Sequence, residues 1–143
     1  SYRLIQFHFH TPCEHCADRP KFSMELHLVH KNDDGETAVV GVRLDPDGPN
    51  ATFQAFLETI PDSGRPGGVA ALDPRDLLPE KLGYVHYPGS LTTPACNEGV
   101  LWHVLAERIT VSEDQMKRFQ RRYPKTARPL QQRGDRLPQR SRD

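Results

Sequence analysis

The sequence predicts a mainly β fold with a few short helices. Apolar and polar residues alternate through residues 2–10 and again through 22–30, which is the period of a half-buried strand. A β-branched run at 38–44 follows the turn-forming residues 32–35, so we expect it to pair back onto the second strand. Helical spacing is confined to short stretches between and after these segments.

Three short helices are predicted. Residues 51–60 place their large apolar side chains on one helical face, with Asn50 as the N-cap. An Asp-Pro pair supplies the cap and first turn of a second short helix at 73–78. Ser112 and Gln115 have the spacing of a capping box, which predicts that the last helix begins directly after Ser112.

The remaining segments are predicted to be strands and loops. Two further strands are expected at 83–87 and 100–105, separated by a polar loop at 88–97. Residues 61–68 are expected to form a flexible connector, and the arginine-rich tail from residue 128 an irregular surface chain.

Length and charge exclude several classes of protein. The 143 residues contain no repeat and no domain-sized linker, which predicts a single domain over residues 1–143. The 19 basic residues are balanced by 19 acidic ones, which argues against a general nucleic-acid or anionic-membrane binder. No apolar run reaches the roughly 18 residues of a membrane span.

A group of histidines predicts a metal site. His8 and His10 leave the same face of the first strand, and His27 can reach that face from the next strand. Three imidazoles with an open fourth position are typical of a catalytic zinc. A His-x-His pair alone is more often the polar face of a strand. Here Gln6 and Glu25 each precede a histidine by two residues, and can accept the other ring N–H.

The cysteines offer a rival site. Cys13 and Cys16 form a C-x-x-C pair around a histidine, which is compatible with a structural zinc or a redox site. A single such pair is weak support for zinc. With Cys96 the total is three, so their number does not identify the redox compartment.

Five sequence blocks together resemble the α-class carbonic anhydrases. They are Gln6-Phe7-His8-Phe9-His10, Glu14-His15, Glu25-Leu26-His27-Leu28-Val29-His30, Tyr87-Pro88-Gly89-Ser90-Leu91-Thr92-Thr93-Pro94 with Val100 and Trp102, and Arg128-Pro129-Leu130-Gln131. The resemblance implies a central, twisted, largely antiparallel sheet with short surface helices. It also implies reversible hydration of carbon dioxide to bicarbonate and a proton, by attack of a zinc-bound hydroxide.

The resemblance also implies roles for individual residues. His8, His10 and His27 become the zinc ligands, with Gln6 and Glu25 as their hydrogen-bond partners. The Thr92 hydroxyl would accept from the zinc-bound hydroxide and donate to Glu14, and the main-chain carbonyl of Thr126 would also serve the site. The residues placed around carbon dioxide and bicarbonate are Thr93, which contacts bicarbonate, and the apolar wall of Val29, Val39, Leu91, Val100 and Trp102.

Members of this family normally carry more chain before the first block. We therefore expect an N-terminally incomplete domain that lacks upstream strands and the proton-shuttle histidine. Without those strands, Ile5, Phe7 and Phe9 are expected to expose apolar surface. No remaining histidine matches the shuttle position, so His15 and His30 are interpreted as surface or structural residues. The same interpretation applies to His86 and His103.

Two alternatives to the enzyme remain open, a non-catalytic carbonic-anhydrase-like binding domain and an inactive fragment. Non-catalytic relatives typically lack one or more of the zinc histidines, whereas this chain has all three together with Thr92 and Glu14. The resemblance further implies a periplasmic or secreted protein, in which Cys96 would pair with a cysteine upstream of this chain.

Overall fold

The computed structural model describes residues 1–60 and 72–142, and the predicted connector at 61–68 lies outside them. Within these residues the architecture is mainly β, as predicted. The strands are β1 (Arg3–His10), β2 (Met24–Lys31), β3 (Thr37–Pro46), β4 (Tyr84–Ser90), β5 (Glu98–Leu105), β6 (Ile109–Val111) and β7 (Gln139–Arg140). They form one twisted sheet in the order β1-β2-β3-β5-β4-β7, with β6 paired to β3. The pairs β3–β5 and β3–β6 are parallel, and the others are antiparallel.

The first helix begins at the predicted cap. α1 (Ala51–Leu57) begins there because the Asn50 side chain accepts a hydrogen bond from the Phe53 backbone N–H at 2.9 Å. It is shorter than predicted, since the chain leaves the helix in a tight turn in which the Ile60 N–H donates to the Leu57 carbonyl. The predicted helix at 73–78 is one 3-10 turn, Pro74–Leu77.

The last helix also begins as predicted. α2 (Glu113–Arg122) has both hydrogen bonds of the Ser112–Gln115 capping box. Gln115 additionally accepts from the backbone N–H of Asn50 at 3.0 Å and donates to its carbonyl at 2.9 Å. The Gln115 side chain thereby caps α2 and also hydrogen-bonds the N-cap residue of α1. No helix in the described ranges is long and apolar enough to cross a bilayer.

Three strand predictions were incomplete. β4 extends through Ser90, into the segment predicted as a loop. β6 was missed because three residues are too few to show a period. β7 lies in the tail predicted as irregular and pairs with β4, where Val85 faces Arg140 and His86 faces Gln139. Its two exposed polar residues carry no strand signal.

The two faces of the sheet carry different kinds of side chain. The side chains of Phe9, Leu26 and Leu28 lie in the main core beneath α1 and α2. Among residues 1–60 and 72–142, the buried residues of this core are Phe9, Met24, Leu26, Leu28, Val42, Leu44, Phe53, Leu57, Leu77, Leu105, Val111, Met116 and Phe119. The opposite face carries His8 and His10 of β1 and His27 of β2.

The expectation that the apolar side chains of β1 lack partners was wrong for two of the three. Phe9 is 5% exposed, and its ring centroid lies 5.1 Å from that of Phe53 and 4.8 Å from that of Phe56. Phe7 packs against the same core. Of Ile5, Phe7 and Phe9, Ile5 alone is exposed, at 52%, because the register of β1 against β2 shifts there and removes it from the alternation.

The aromatic packing behind β1 predicts a large stability effect. Phe53→Ala is expected to lower the free energy of unfolding by about 3–5 kcal/mol, since Phe53 is fully buried among other aromatic rings. Leu82→Ala is the matched control, because Leu82 is 56% exposed and should change stability by less than about 0.5 kcal/mol. Denaturant unfolding of both variants measures the difference. Equal values for both variants would contradict the assigned core.

Candidate metal centre

Antiparallel pairing of β1 and β2 brings three histidines together. His8 lies directly opposite His27, and His10 lies two residues further along β1 on the same face. The ring centroids are 4.8 Å apart for His8 and His10, 5.3 Å for His8 and His27, and 4.6 Å for His10 and His27. One nitrogen from each ring lies within 4.8 Å of the other two. These residues could hold a metal ion.

The other nitrogen of each ring is held by a hydrogen-bond acceptor. His8 Nδ1 donates to Oε1 of Gln6 at 2.7 Å, and His10 Nδ1 donates to the carbonyl of Thr126 at 2.9 Å. His27 Nε2 donates to the carboxylate of Glu25. Carbonyl and carboxylate oxygens only accept, so each bond fixes the position of the ring proton.

The inward nitrogen of each ring therefore carries a lone pair, and a metal ion binds to such a lone pair. His8 Nε2 and His10 Nε2 lie 3.0 Å apart with no proton left to place between them. The inward nitrogen of His27 faces the same point. Three converging lone pairs repel one another unless a cation lies among them, and neutral imidazole nitrogens are ligands for zinc and similar ions. The residues present therefore fit a bound divalent metal.

The local environment keeps the rings of His8 and His10 neutral. Burial, followed by the neighbouring His27 and His10, lowers the pKa of His8 to about 4. Burial and the proximity of His27 also lower the pKa of His10 from its ordinary value. Protons are consequently weak competitors for these nitrogens at neutral pH.

A buried carboxylate supports the centre from behind. Glu25 accepts from the backbone N–H of His15 at 2.9 Å, from Nδ1 of His15 at 2.6 Å and from Nε2 of His27. Burial alone would raise the pKa of Glu25, but the hydrogen bonds from His15 and His27 outweigh it and hold that pKa far below its usual range. Glu25 stays ionised and fixes the orientation of His27.

His15 has a structural role, one of the two interpretations given to it from the sequence, but its partners were not predicted. Its Nδ1 donates to Glu25, and its Nε2 accepts from the hydroxyl of Tyr87. Burial and the nearby Glu25 raise the pKa of Tyr87 well above its usual range, so the phenol keeps its proton. His15 lies in a loop and Tyr87 on a distant strand, so neither periodicity nor spacing links them. His15, Glu25 and His27 also form a second candidate metal group, but hydrogen bonds already occupy their facing atoms.

Glu14 and Thr92 lie beside the inward nitrogens. Glu14 is buried, and its Oε2 accepts from the backbone N–H of Arg128 at 2.7 Å. Its Oε1 has no hydrogen-bond partner among the described residues and lies 3.5 Å from Nε2 of His10. Thr92 Oγ1 also lies 3.5 Å from that nitrogen. The hydrogen bond expected between Thr92 and Glu14 is not formed in the described residues, because the hydroxyl faces the lone pair of His10 instead.

A cleft of about 470 Å³ opens beside His8 and His27. His8 and His27 line one part of it, together with Thr92 and Thr93. The residues predicted as an apolar wall all line the other part; they are Val29, Val39, Leu91, Val100 and Trp102. Four of these are buried together as a separate apolar cluster, against which Leu91 packs. One cleft thus joins a metal-binding floor to an apolar side.

The C-x-x-C pair is a disulfide. Cys13 and Cys16 are bonded to each other, so neither thiolate is available to a metal. The alternative of a structural zinc at these residues was therefore wrong. Cys96 is a free, partly buried cysteine.

Comparisons with known proteins agree with this geometry. The sequence model of the eukaryotic-type carbonic anhydrase family matches residues 1–141. A carbonic anhydrase from Nostoc sp. is 40% identical over 139 residues, which cover 95% of this chain and 53% of the relative. Alpha carbonic anhydrase 3 of Arabidopsis thaliana is 38% identical over 144 residues, covering 95% of this chain and 52% of the relative. The chain spans about half the length of these curated relatives.

Solved structures show the same fold. The alpha-carbonic anhydrase of Thermovibrio ammonificans, solved with the inhibitor sulfanilamide, superposes with a TM-score of 0.89 at 34% identity over 96% of this chain and 62% of its own. The Photobacterium profundum alpha-carbonic anhydrase superposes with a TM-score of 0.87 at 42% identity over 96% of this chain and 64% of its own. With a family match over nearly all of its length and a shared fold, the chain belongs to the eukaryotic-type, or alpha, carbonic anhydrase family.

Proposed function

We propose that the protein carrying this chain reversibly hydrates carbon dioxide to bicarbonate and a proton at a zinc ion held by His8, His10 and His27. The observation that carries the proposal is the convergence of one imidazole nitrogen from each of His8, His10 and His27 beside a half-apolar cleft. Family membership supports the same reaction.

Zinc is the metal that this donor set suits best. Three neutral imidazoles leave one tetrahedral position for water, which is the arrangement of catalytic rather than structural zinc sites. When bound, zinc lowers the pKa of its water to about 7, the established value for carbonic anhydrases, and so supplies a nucleophile at neutral pH. The outward hydrogen bonds from His8, His10 and His27 hold the rings at fixed angles before any metal arrives.

Thr92 and Glu14 are proposed to orient the nucleophile. Thr92 Oγ1 and Glu14 Oε1 both lie 3.5 Å from Nε2 of His10, so both lie next to one of the proposed metal ligands. An ionised carboxylate can only accept, so Oε1 of Glu14 would take the proton of the Thr92 hydroxyl into a hydrogen bond. A lone pair of Thr92 then faces the reacting oxygen and aims it. The unsatisfied Oε1 of Glu14 supports this assignment.

The apolar side of the cleft suits a small, linear, non-polar substrate. Val39 and Trp102 are almost fully buried and hold the wall rigid. Carbon dioxide gains from leaving water for such a wall, whereas charged bicarbonate does not. Thr93 lines the same cleft and offers a hydroxyl to the product. The wall therefore favours entry of carbon dioxide and release of bicarbonate.

A non-catalytic binding domain fits the geometry less well. A domain that only bound a partner would have no use for three ring protons held outward or for a buried carboxylate beside the site. The retention of Glu14 and Thr92 around the histidines favours the enzyme.

A periplasmic or secreted location is part of the proposal. The Cys13–Cys16 disulfide supports it, because disulfides persist in oxidising compartments and are rare in the cytosol of most organisms.

Removing one ligand should remove the metal. His27→Ala is expected to lower zinc affinity by more than about 100-fold, since loss of the outer partners of a ligand alone costs 10–100-fold. Metal analysis after dialysis against a chelator measures the zinc retained. His30→Ala is the matched control, because His30 lies on the same strand but on the opposite face and donates to the Leu28 carbonyl. Equal zinc content in both variants would disprove the assigned ligands.

Removing the orienting hydroxyl should slow the reaction while zinc stays bound. Thr92→Val is expected to lower the rate of carbon dioxide hydration by roughly 100-fold, a typical cost of losing one transition-state hydrogen bond. Stopped-flow hydration assays with parallel zinc analysis separate the two effects. Thr110→Val serves as the control, because Thr110 is exposed on β6, remote from the cleft. A Thr92→Val protein as fast as the parent would refute the role of Thr92.

A further inference from the structure

The disulfide between Cys13 and Cys16 closes a short turn around two residues of the site. The two residues inside this turn are Glu14 and His15. Glu14 lies beside the inward nitrogen of His10, and His15 donates twice to the carboxylate that orients His27. The position of this turn therefore determines where both Glu14 and His15 lie relative to the metal centre.

The two sulfurs have little room to separate. Cys13 is 0% exposed, its backbone N–H donates to Ser23 Oγ at 3.0 Å, and its Sγ lies 3.5 Å from Oε1 of Glu25. Opening the bond therefore requires the turn to move within a close-packed region.

Cys16 is the end of the turn that can move. It is 6% exposed and lines a cleft of about 590 Å³, which Glu14, His15 and Arg128 also line. A shift of Cys16 into this cleft displaces the backbone of the turn. The displacement lengthens the bonds from Arg128 to Glu14 and from His15 to the carboxylate behind His27.

We propose that the Cys13–Cys16 disulfide is a thiol–disulfide exchange site, and that its reduction by a dithiol loosens the metal centre. A thiolate of the dithiol attacks Sγ of Cys16 from the cleft, the Cys16–Cys13 bond breaks, and Cys13 leaves and takes up a proton. The second thiol of the reductant then releases Cys16. Two electrons pass to the protein, and the dithiol becomes a disulfide. This inference rests on the proposed zinc site.

Zinc release to a chromogenic chelator tests the proposal in the zinc-loaded chain, before and after treatment with dithiothreitol. We expect two new thiols beyond Cys96, zinc release at least about tenfold faster, and recovery of the slow rate on reoxidation. Cys96→Ser should behave as the parent does, since Cys96 is outside the turn. The variant Cys13→Ser with Cys16→Ser should release zinc rapidly without reductant, and it reports how much zinc the dithiol removes by itself.

Two results would overturn the proposal. One is the appearance of both thiols with an unchanged rate of zinc release in the parent and in Cys96→Ser. The other is a disulfide that dithiothreitol opens only after denaturation. If the double variant does not fold, amide exchange at His15 on reduction of the parent and of Cys96→Ser decides the matter, because it does not depend on zinc removed by the dithiol.

A separate measurement distinguishes failure of the zinc site itself. If the oxidised chain binds no zinc, the proposed function fails, and amide exchange at His15 in the metal-free chain then tests the turn. Its N–H is bonded to Glu25 in the oxidised protein. At least tenfold faster exchange on reduction supports movement of the turn, and an unchanged rate contradicts it.

Discussion

The buried carboxylate of Glu25 is the group on which the rest of the site depends. A charge removed from water is costly unless hydrogen bonds replace its solvation, and Glu25 receives three, two from His15 and one from His27. These bonds determine which nitrogen of His27 carries the proton and hence which one faces the cleft. They also draw the loop containing His15 against β2. Loss of any of them leaves an uncompensated charge in the interior.

The sheet supplies rigidity from its opposite face. β1 presents His8 and His10 on one side and Phe9 on the other, and Phe9 packs into an aromatic core with Phe53. Because that core is close-packed, β1 cannot rotate without opening cavities. The ligands on β1 and β2 are thereby held by strands, whereas Glu14 and Thr92 lie on loops and depend on specific contacts. The site therefore combines histidines held on rigid strands with two loop residues, Glu14 and Thr92, whose positions are less constrained.

Trp102 joins the two halves of the cleft. Its ring lies 4.8 Å from that of His27 and 4.9 Å from that of His15, and its indole N–H donates to the Ser90 carbonyl at 2.9 Å. Gly89 permits this placement, since a Cβ there would lie 2.9 Å from Cδ1 of Trp102. The same side chain therefore backs the metal floor and forms the apolar wall. A charged nucleophile and a non-polar substrate can meet only where such surfaces adjoin.

Several features of the fold and of the site could be predicted from local patterns in the sequence. Alternation placed His8 and His10 on one face, and the spacing of two residues placed Gln6 beside His8, because side chains i and i+2 share a face of a strand. The start of α1 followed from Asn50 in the same way, since a cap acts on residues three positions away. Patterns of this kind can be recognised in the sequence because the interacting residues lie within one helical turn or two positions apart on a strand.

Tertiary structure alone decided the contacts that join distant segments. The carbonyl that holds His10 belongs to Thr126, 116 residues away, and only the family resemblance had placed that carbonyl in the site. His15 contacts Tyr87 across 72 residues. The parallel pairing of β3 with β5 and the displacement of Ile5 at the register shift also lacked a local signal. Such contacts form only when the whole sheet is assembled, because their energy comes from burial and hydrogen bonds between segments that have no periodic relation.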